Sequence, residues 1–547
     1  MILRMKKIWF VLSAGIIFMN LSAQQTDYFE WGKQIEIISS VTEQLLDNYI
    51  EEPNVEILTN EAVKGMLSRT DRYTKFYDEQ QMFEQRLQRS GKVSGIGVAV
   101  KDKEQGLSVR NVYPESPAAQ AGLLIGDLIV EVDGKKLDSL SYKAKRNLLK
   151  GRPGTTVKLK VKRGGQEKSF TLQRAIIERK AVPVYKMLNE KTGYIKLSRF
   201  TSKAYTEVLN ALVDLKNEGA RYIILDLRGN PGGLLNQAVK VASLFIPKGS
   251  LVTYTQGRFE KFNKTYKTQI NPVDEEIPLA VLIDKRSASA SEIVSGTLQD
   301  YDRAVIVGDT SFGKGLVQRF FPLKYGTHIK ITISKYYIPS GRQIQKIDYW
   351  HRDKKGKATH YKQDKSKVFY TRNKRKVYEH GGIAPDIPVE RDSLPSLIAY
   401  LKKKDHIFDF NTRYFYEHPV LQITGSNDQS LLKSFLQYLK ENRIDPKSSA
   451  ETYLEKALDK AEKDTGAKEL VQQLKALNEA LDKKDFEFLQ KNKEARKSLL
   501  KLIKKDLILR YDGIRAYENY LLQDDKTVRK AMEILESGRY KKILKIN

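Results

Sequence analysis

Leu282-Ile283-Asp284-Lys285-Arg286-Ser287-Ala288-Ser289-Ala290-Ser291-Glu292-Ile293 reads as an apolar strand, a turn of small residues and the start of a helix. A serine on such a turn is exposed, and the N–H of the residue after it points from the helix N-terminus toward any oxyanion that develops there. Small residues before a helix are also ordinary caps, so the turn alone decides little. The next stretch adds to it: Thr310-Ser311-Phe312-Gly313-Lys314-Gly315-Leu316-Val317-Gln318 sets a lysine between two glycines in an apolar, strand-like context. Where water is scarce the ammonium is disfavoured, its pKa falls from about 10.4, and a neutral amine becomes available as a base. Such an amine can take the proton of a serine hydroxyl, which makes a Ser–Lys pair the chemistry these stretches suggest together.

Three other chemistries fit less well. Gly308-x4-Gly313-Lys314 approaches a phosphate-binding loop, but Gly315 stands where a Ser or Thr would hold Mg²⁺, and strands rather than a helix are expected to follow. A Ser–His–Asp triad needs a histidine, and none precedes His328, whose surroundings repeat no known arrangement. No His-Glu-x-x-His pair is present, and there is no cysteine, so zinc-peptidase ligands, disulfides and thiolate chemistry are all excluded.

Outward from this centre, strand candidates Tyr194–Leu197, Tyr222–Leu227, Leu279–Ile283 and Ala304–Val307 alternate with helical stretches Ser202–Lys216, Leu235–Phe245 and Ala290–Leu298, as in an α/β layered domain. Upstream, residues 90–175 change to short strands and glycine turns. Ser94-Gly95-Ile96-Gly97-Val98, Ser116-Pro117-Ala118-Ala119-Gln120-Ala121-Gly122-Leu123, Gly126-Asp127-Leu128-Ile129 and Asp133-Gly134 follow in order, and together they resemble a PDZ domain of the bacterial protease type. In Ser94–Val98 the glycines let successive N–H groups converge on a terminal carboxylate, while the adjoining strand edge pairs with an extended peptide. Ile96 and Val98 are expected to favour an apolar last residue.

The whole of residues 30–390 resembles the C-terminal processing peptidases, also called tail-specific proteases. The family's catalytic serine and lysine are 25 residues apart, as Ser289 and Lys314 are here. The resemblance implies that Ser289, rather than Ser287 or Ser291, is the nucleophile, that Lys314 is its base and that Gln318 orients the lysine. It further implies an oxyanion hole made by Ala290 N–H and a glycine of Leu225-Asp226-Leu227-Arg228-Gly229-Asn230-Pro231-Gly232-Gly233, with Gly232 and Gly233 both open as the donor. Tyr336–Gln345 and Gly381–Ile387 match further family landmarks, whereas the basic stretch between them is longer than in the shortest members.

The expected fold is therefore multidomain α+β. A PDZ-like β-rich module (90–175) precedes a ClpP/crotonase-like α/β peptidase core (176–395, with a basic insertion at 346–380). An N-terminal helical segment (24–89) and a C-terminal helical region (396–547) flank them. That last region carries Lys/Glu/Leu-rich periodicity and reads as an all-helical appendage, suited to assembly or docking or equally to a merely structural cap, and dispensable for the catalytic residues. Arg4, Lys6 and Lys7, the apolar run Ile8–Leu21 and the small residues Leu21-Ser22-Ala23 read as an export signal (1–23). The alternative is a retained anchor, although the run is shorter than the roughly 20 residues that span a bilayer. Localisation is expected to be periplasmic or envelope-associated.

A net charge of +29 raises the question of nucleic acid, but the tail interleaves both signs, as solvated helix faces do. Residues 346–380 concentrate twelve Lys/Arg against four Asp/Glu and suit an anionic surface better. The expected partners are protein substrates held by their C-termini, with an adaptor protein, peripheral membrane association and self-association held open, and no nucleic acid. No metal or cofactor is expected. The alternative function is a PDZ scaffold or regulatory binding protein without turnover.

Overall fold

The computed structural model describes residues 28–546 apart from 362–366, 391–392, 421–427, 445 and 465–466. The export signal expected at 1–23 lies outside the described residues. The chain divides into two compact units, Met1–Phe76 and Tyr77–Asn547. In the first, α1 (Tyr28–Asn48) and α2 (Val55–Ser68) follow the apolar periodicity, yet neither helix buries a side chain. Trp31, Ile35, Ile38 and Val41 are all exposed. Among the described residues no helix is long and apolar enough to cross a membrane.

The second unit opens with α3 (Glu79–Arg89), whose N-cap Asp78 accepts from Gln81 N–H at 2.7 Å. The PDZ-like module follows as an antiparallel sheet in the order β1 (Val98–Lys103), β2 (Gly106–Val112), β3 (Leu128–Val132), β4 (Thr156–Arg163), β5 (Gln166–Gln173). Period-two patterning sets its inner face: Val157, Leu159 and Val161 of β4 are buried with Leu107, Val109 and Ile129, while Lys158 and Lys162 are exposed. Helix α4 (Tyr142–Leu149) packs on this core through Leu149. Strands Lys92–Gly95 and Ala175–Glu178 pair where the chain enters and leaves the domain.

The expected peptidase core is a six-stranded sheet in the order β6 (Val184–Met187), β7 (Thr192–Lys196), β8 (Tyr222–Asp226), β9 (Leu279–Ile283), β10 (Ala304–Gly308), β11 (Ile387–Pro388), parallel except for β6. Every residue of β9 and β10 is buried, the signature of a sheet covered on both faces. On one face Ile223, Leu225, Val281, Ile283 and Ile306 pack with α5 (Ala204–Asn217), α6 (Leu235–Ala242) and α7 (Ala290–Asp300). Within the basic stretch, Ile347–Arg352 pairs with Ala358–His360 and Val368–Tyr370 with Lys376–Tyr378, and Arg375 pairs with the buried carboxylates of Asp302 and Asp386.

The C-terminal region is helical: α8 (Ser396–Lys403), α9 (His406–Glu417), α10 (Asp428–Glu441), α11 (Ser449–Glu462), α12 (Lys468–Lys491), α13 (Lys493–Tyr511), α14 (Gly513–Gln523), α15 (Lys526–Glu536) and α16 (Arg539–Leu544). Its first part builds a core of its own around Phe410, Phe435 and Ile503 and meets the PDZ domain through α9. Its end is not the appendage that the charge pattern suggested. Val528, Ala531, Ile534 and Leu535 of α15, with Leu544 of α16, bury the second face of the peptidase sheet against Ile224, Ala280, Leu282, Val305 and Val307. Charged residues dominate α15 by number, but its apolar positions fall on one stripe, and that stripe completes the core.

Candidate active site

Ser289 stands immediately before α7, at the end of the turn that leaves β9. Its backbone has φ 57° and ψ −113°, a conformation that costs a non-glycine residue on the order of 1–3 kcal/mol and persists only where the surroundings over-determine it. The neighbouring serines explain how it is held. Ser287 and Ser291 are fully buried; Ser287 Oγ donates to Leu227 O (2.9 Å) and Ser291 Oγ to Asn230 O (3.0 Å). Only Ser289 of the three lines a cleft, of about 370 Å³, and Lys314 and Gln318 line the same cleft. His328 sits at the opposite end of the hairpin Leu316–Pro322/His328–Tyr337, its Nδ1 3.1 Å from Gly326 O. The lysine loop leads into strand Leu316–Pro322, not into the helix a phosphate loop requires.

Glu292 joins the serine turn to the lysine loop. Its carboxylate is wholly buried and accepts from Ser289 N–H (2.7 Å), Gly313 N–H (2.6 Å), Lys314 N–H (2.9 Å) and Ser311 Oγ (2.5 Å). Burial pushes this carboxyl up from its ordinary pKa, and the four donors oppose that by favouring the ion. Tyr336 ties the same segments through their carbonyls, its hydroxyl 2.6 Å from Lys314 O and 3.2 Å from Ser289 O. Both glycines flanking Lys314 are close-packed: a Cβ on Gly313 would lie 2.5 Å from Lys346 Cβ, and one on Gly315 3.0 Å from Gln345 N. Gln318 Nε2 donates to Thr332 Oγ1 at 3.2 Å. Glu292 escaped the sequence reading, although Ser289-x-x-Glu292 has the spacing of a capping box, which could have drawn attention to it.

The two candidate glycines differ. Gly232 N–H donates to Asn230 Oδ1 (2.9 Å), and a Cβ there would come within 2.9 Å of Ser289 Cβ. Phe200 N–H reaches Gly232 O and Leu234 N–H reaches Phe200 O, a pattern that bypasses Gly233, whose N–H has no acceptor among the described residues. Ala290 is the first residue of α7, so its N–H is one of the donors a helix leaves unsatisfied. Asn230 holds the glycine turn to the serine turn, since its carbonyl accepts from Ala288 N–H at 3.0 Å as well as from Ser291.

Behind the glycine turn lies a charged cluster. Asp226, fully buried, accepts from Tyr194 Oη (2.7 Å) and pairs with Arg228 (2.7 Å) and Lys196 (3.2 Å). Burial disfavours its charge, but Lys196 and Arg228 outweigh that and hold the carboxyl far below its usual range. Arg228 reaches on to Asp525 at 2.8 Å, the N-cap of α15. Among the described residues no cluster of His, Cys, Asp and Glu could hold a metal ion.

In the PDZ domain, Ser94 to Val98 line a groove of about 360 Å³, together with Leu87 and Gln88 of α3 and Tyr142, Arg146 and Leu149 of α4. Gly97 has φ 88° and a Cβ there would fall 2.1 Å from Ser116 Cβ, so this close turn admits only glycine. Ser94 Oγ donates to Gly151 O at 2.5 Å. Ile96 is 1% exposed and belongs to the domain's core, so Val98 and Val100 offer more of the accessible apolar wall than Ile96 does.

Comparison with known proteins gives three family matches: "Peptidase family S41" over residues 191–349, "PDZ domain" over 94–173, and "Probable PDZ-protease, C-terminal helical domain" over 397–535. The chain is 34% identical over 352 residues to a "Carboxy-terminal-processing protease" of Bartonella bacilliformis, covering 62% of this chain and 80% of that one. It is 36% identical over 318 residues to a "Carboxyl-terminal-processing protease" of Synechocystis sp., covering 55% and 72%. With a "Probable CtpA-like serine protease" of Staphylococcus epidermidis it shares 33% identity over 315 residues, covering 56% of this chain and 62% of that relative.

Proposed function

The chain belongs to the carboxy-terminal-processing proteases of peptidase family S41, and from that premise we propose how its residues divide the work. It is a serine-type peptidase with a PDZ domain, and a scaffold without turnover is not the favoured reading. Ser289 attacks the scissile carbonyl while the neutral amine of Lys314 takes its proton; Gln318 lies beside them in the cleft and orients the lysine. The oxyanion is met by Ala290 N–H and, of the two glycines, Gly233 N–H, because Gly232 N–H is already committed to Asn230. The protonated Lys314 then passes its proton to the departing amine, and water, deprotonated by the same lysine, releases the acyl group. The PDZ groove takes the substrate's free C-terminus at Ser94, Gly95, Ile96, Gly97 and Val98.

The observation that carries this reading is the selection among three serines: Ser287 and Ser291 are buried and bonded to carbonyls, and Ser289 alone shares a cleft with Lys314. Ser289→Ala and Lys314→Arg each test it, the second because arginine keeps the charge but does not deprotonate. Peptide hydrolysis should fall about 10⁴-fold or more in both folded variants. Full activity in either overturns the assignment.

The reading extends to an exported, envelope-facing enzyme, supported by the basic and apolar pattern of residues 4–23. Self-association is supported by the exposed apolar side chains of α1. Peripheral membrane contact rests on the basic stretch 346–380 alone, and an adaptor on no particular residue.

A further inference from the structure

Helix α3 is a wall shared by two depressions. On one side it borders the PDZ groove, and on the other, through Gln85, Gln88 and Arg89, the cleft of Ser289 and Lys314. A third depression of about 460 Å³ lies between them. Gln88 borders all three; Arg179 is common to the groove and the middle depression, and Arg199 to the middle depression and the catalytic cleft. These shared residues set the three depressions side by side, a path from the C-terminus-binding loop toward the nucleophile.

The charge of that path is one-sided. Apart from Lys314, whose amine is neutral in the reading above, its walls carry eight Lys or Arg side chains and a single carboxylate, Glu84. Glu84 is already paired with Lys150 at 2.6 Å. The chain as a whole has 96 Lys/Arg to 67 Asp/Glu, so the excess here is well beyond what composition supplies. Several of these cations are positioned by rings in place of carboxylates. Arg179 lies over Tyr113 (5.1 Å), Arg89 over Phe320 (4.6 Å) and Arg146 over Tyr142 (5.3 Å). Among the described residues none of these three, nor Arg199, forms an ion pair. A guanidinium laid on an aromatic face is held in place while its in-plane N–H donors stay available to an incoming carboxylate. Arg199 is moreover crowded by the cleft and by Arg179, both of which pull its pKa down, so an anion arriving between the two arginines relieves a repulsion already present.

We propose that this path reads acidic side chains, so that the enzyme selects substrates whose tail carries Asp or Glu between an apolar C-terminus and the scissile bond. The inference rests on the reading above, in which the PDZ domain holds the terminus and Ser289 cuts upstream of it. Arg179 and Arg199, at the two junctions of the path, are the specificity-determining pair.

The test uses the full chain and three free-acid peptides that share the scissile sequence and an apolar terminal residue but carry Glu, Gln or Lys in between. The expected order of KM is Glu below Gln below Lys, with about tenfold between Glu and Gln at about 0.05 M salt and little difference in kcat. At about 0.5 M salt, screening should remove most of the gap. Arg179→Gln/Arg199→Gln should abolish the preference for Glu, so that the Glu and Gln peptides share one KM and the dependence of their KM ratio on salt disappears. Equal KM for the Glu and Gln peptides, or a preference that survives in the double variant, overturns the proposal. Failure of the underlying reading shows differently: the Gln peptide would be cut by Ser289→Ala, or equally well when amidated.

Discussion

The two ends of the C-terminal helical region hold on to the rest of the molecule by opposite means. At its start, Asp405, in front of α9, receives Lys101 (2.7 Å), Arg110 (2.7 Å) and Lys103 (3.3 Å) from the PDZ sheet, and Asp409 receives Lys103 (3.2 Å). Arg110 also lies 3.6 Å from the centre of the Phe408 ring, and Arg510 donates to Ile125 O at 2.7 Å. This contact is polar and partly wet. At the other end, α15 and α16 bury an apolar stripe against the strand surface opposite α5, α6 and α7. The lesson is that one region serves the PDZ domain as an adjustable clamp and the peptidase as a permanent layer of its core. A polar clamp answers to salt and pH; a buried hydrophobic face answers to neither until the protein unfolds.

The comparison breaks most visibly at the apolar end. Deleting residues 526–547 should leave Ile224, Leu282, Val305 and Val307 open to water and yield no soluble folded enzyme. A gentler probe is Ile534→Ala, which should cost about 2–5 kcal/mol by denaturant titration. A stable, active truncated chain would show that the second sheet face needs no cover.

Next in size is Asp525, which belongs to both functions because it caps α15 and pairs with Arg228 behind the glycine turn. Without it, Arg228 keeps only one of its two carboxylate partners, Asp226. Asp525→Ala should lose about 1 kcal/mol through the cap, and kcat should fall roughly tenfold or more as the turn shifts, with KM little changed. Asp525→Ser keeps a capping oxygen without the charge, so it should recover stability but not turnover. Recovery of both would reduce Asp525 to a cap.

The smallest effect belongs to the clamp. Burial alone would raise the Asp405 carboxyl, but Lys101, Arg110 and Lys103 draw its pKa below the ordinary value of about 3.9. A carboxyl depressed on folding stabilises the folded state above its unfolded pKa, and that contribution is lost as pH falls through the folded value. Release of the PDZ domain should therefore begin below about pH 4, earlier at high salt, and be followed by protease sensitivity of the 174–182 connection while the peptidase core stays folded. Asp405→Asn should show the same sensitivity at neutral pH. Simultaneous loss of both parts would mean that the clamp and the core are one cooperative unit.

Much of this architecture was legible in local sequence. The apolar runs Leu279–Ile283 and Ala304–Val307 announce strands, and the glycine pattern of 94–134 announces a PDZ domain. What stayed hidden was non-local. The stripe that covers the second sheet face is set more than 200 residues away, among so many lysines and glutamates that the helix reads as solvated. The reach of Glu292 to Gly313 and Lys314, and of Arg228 to Asp525, depends on tertiary placement that no spacing rule contains. Three serines at alternate positions are chemically equal on paper; burial separates them.

The positive φ of Ser289 sets durability against turnover. Glycine at that position would adopt φ 57° without penalty and, net of its own entropy cost, leave the protein about 1 kcal/mol more stable, while removing the hydroxyl proposed as the nucleophile. A screen that rewarded heat resistance alone would thus favour the loss of Ser289. On the role proposed for Ser289, its presence trades stability for catalysis, and any thermostabilised version of this protein would have to find its gains elsewhere, for instance in the clamp on the PDZ domain.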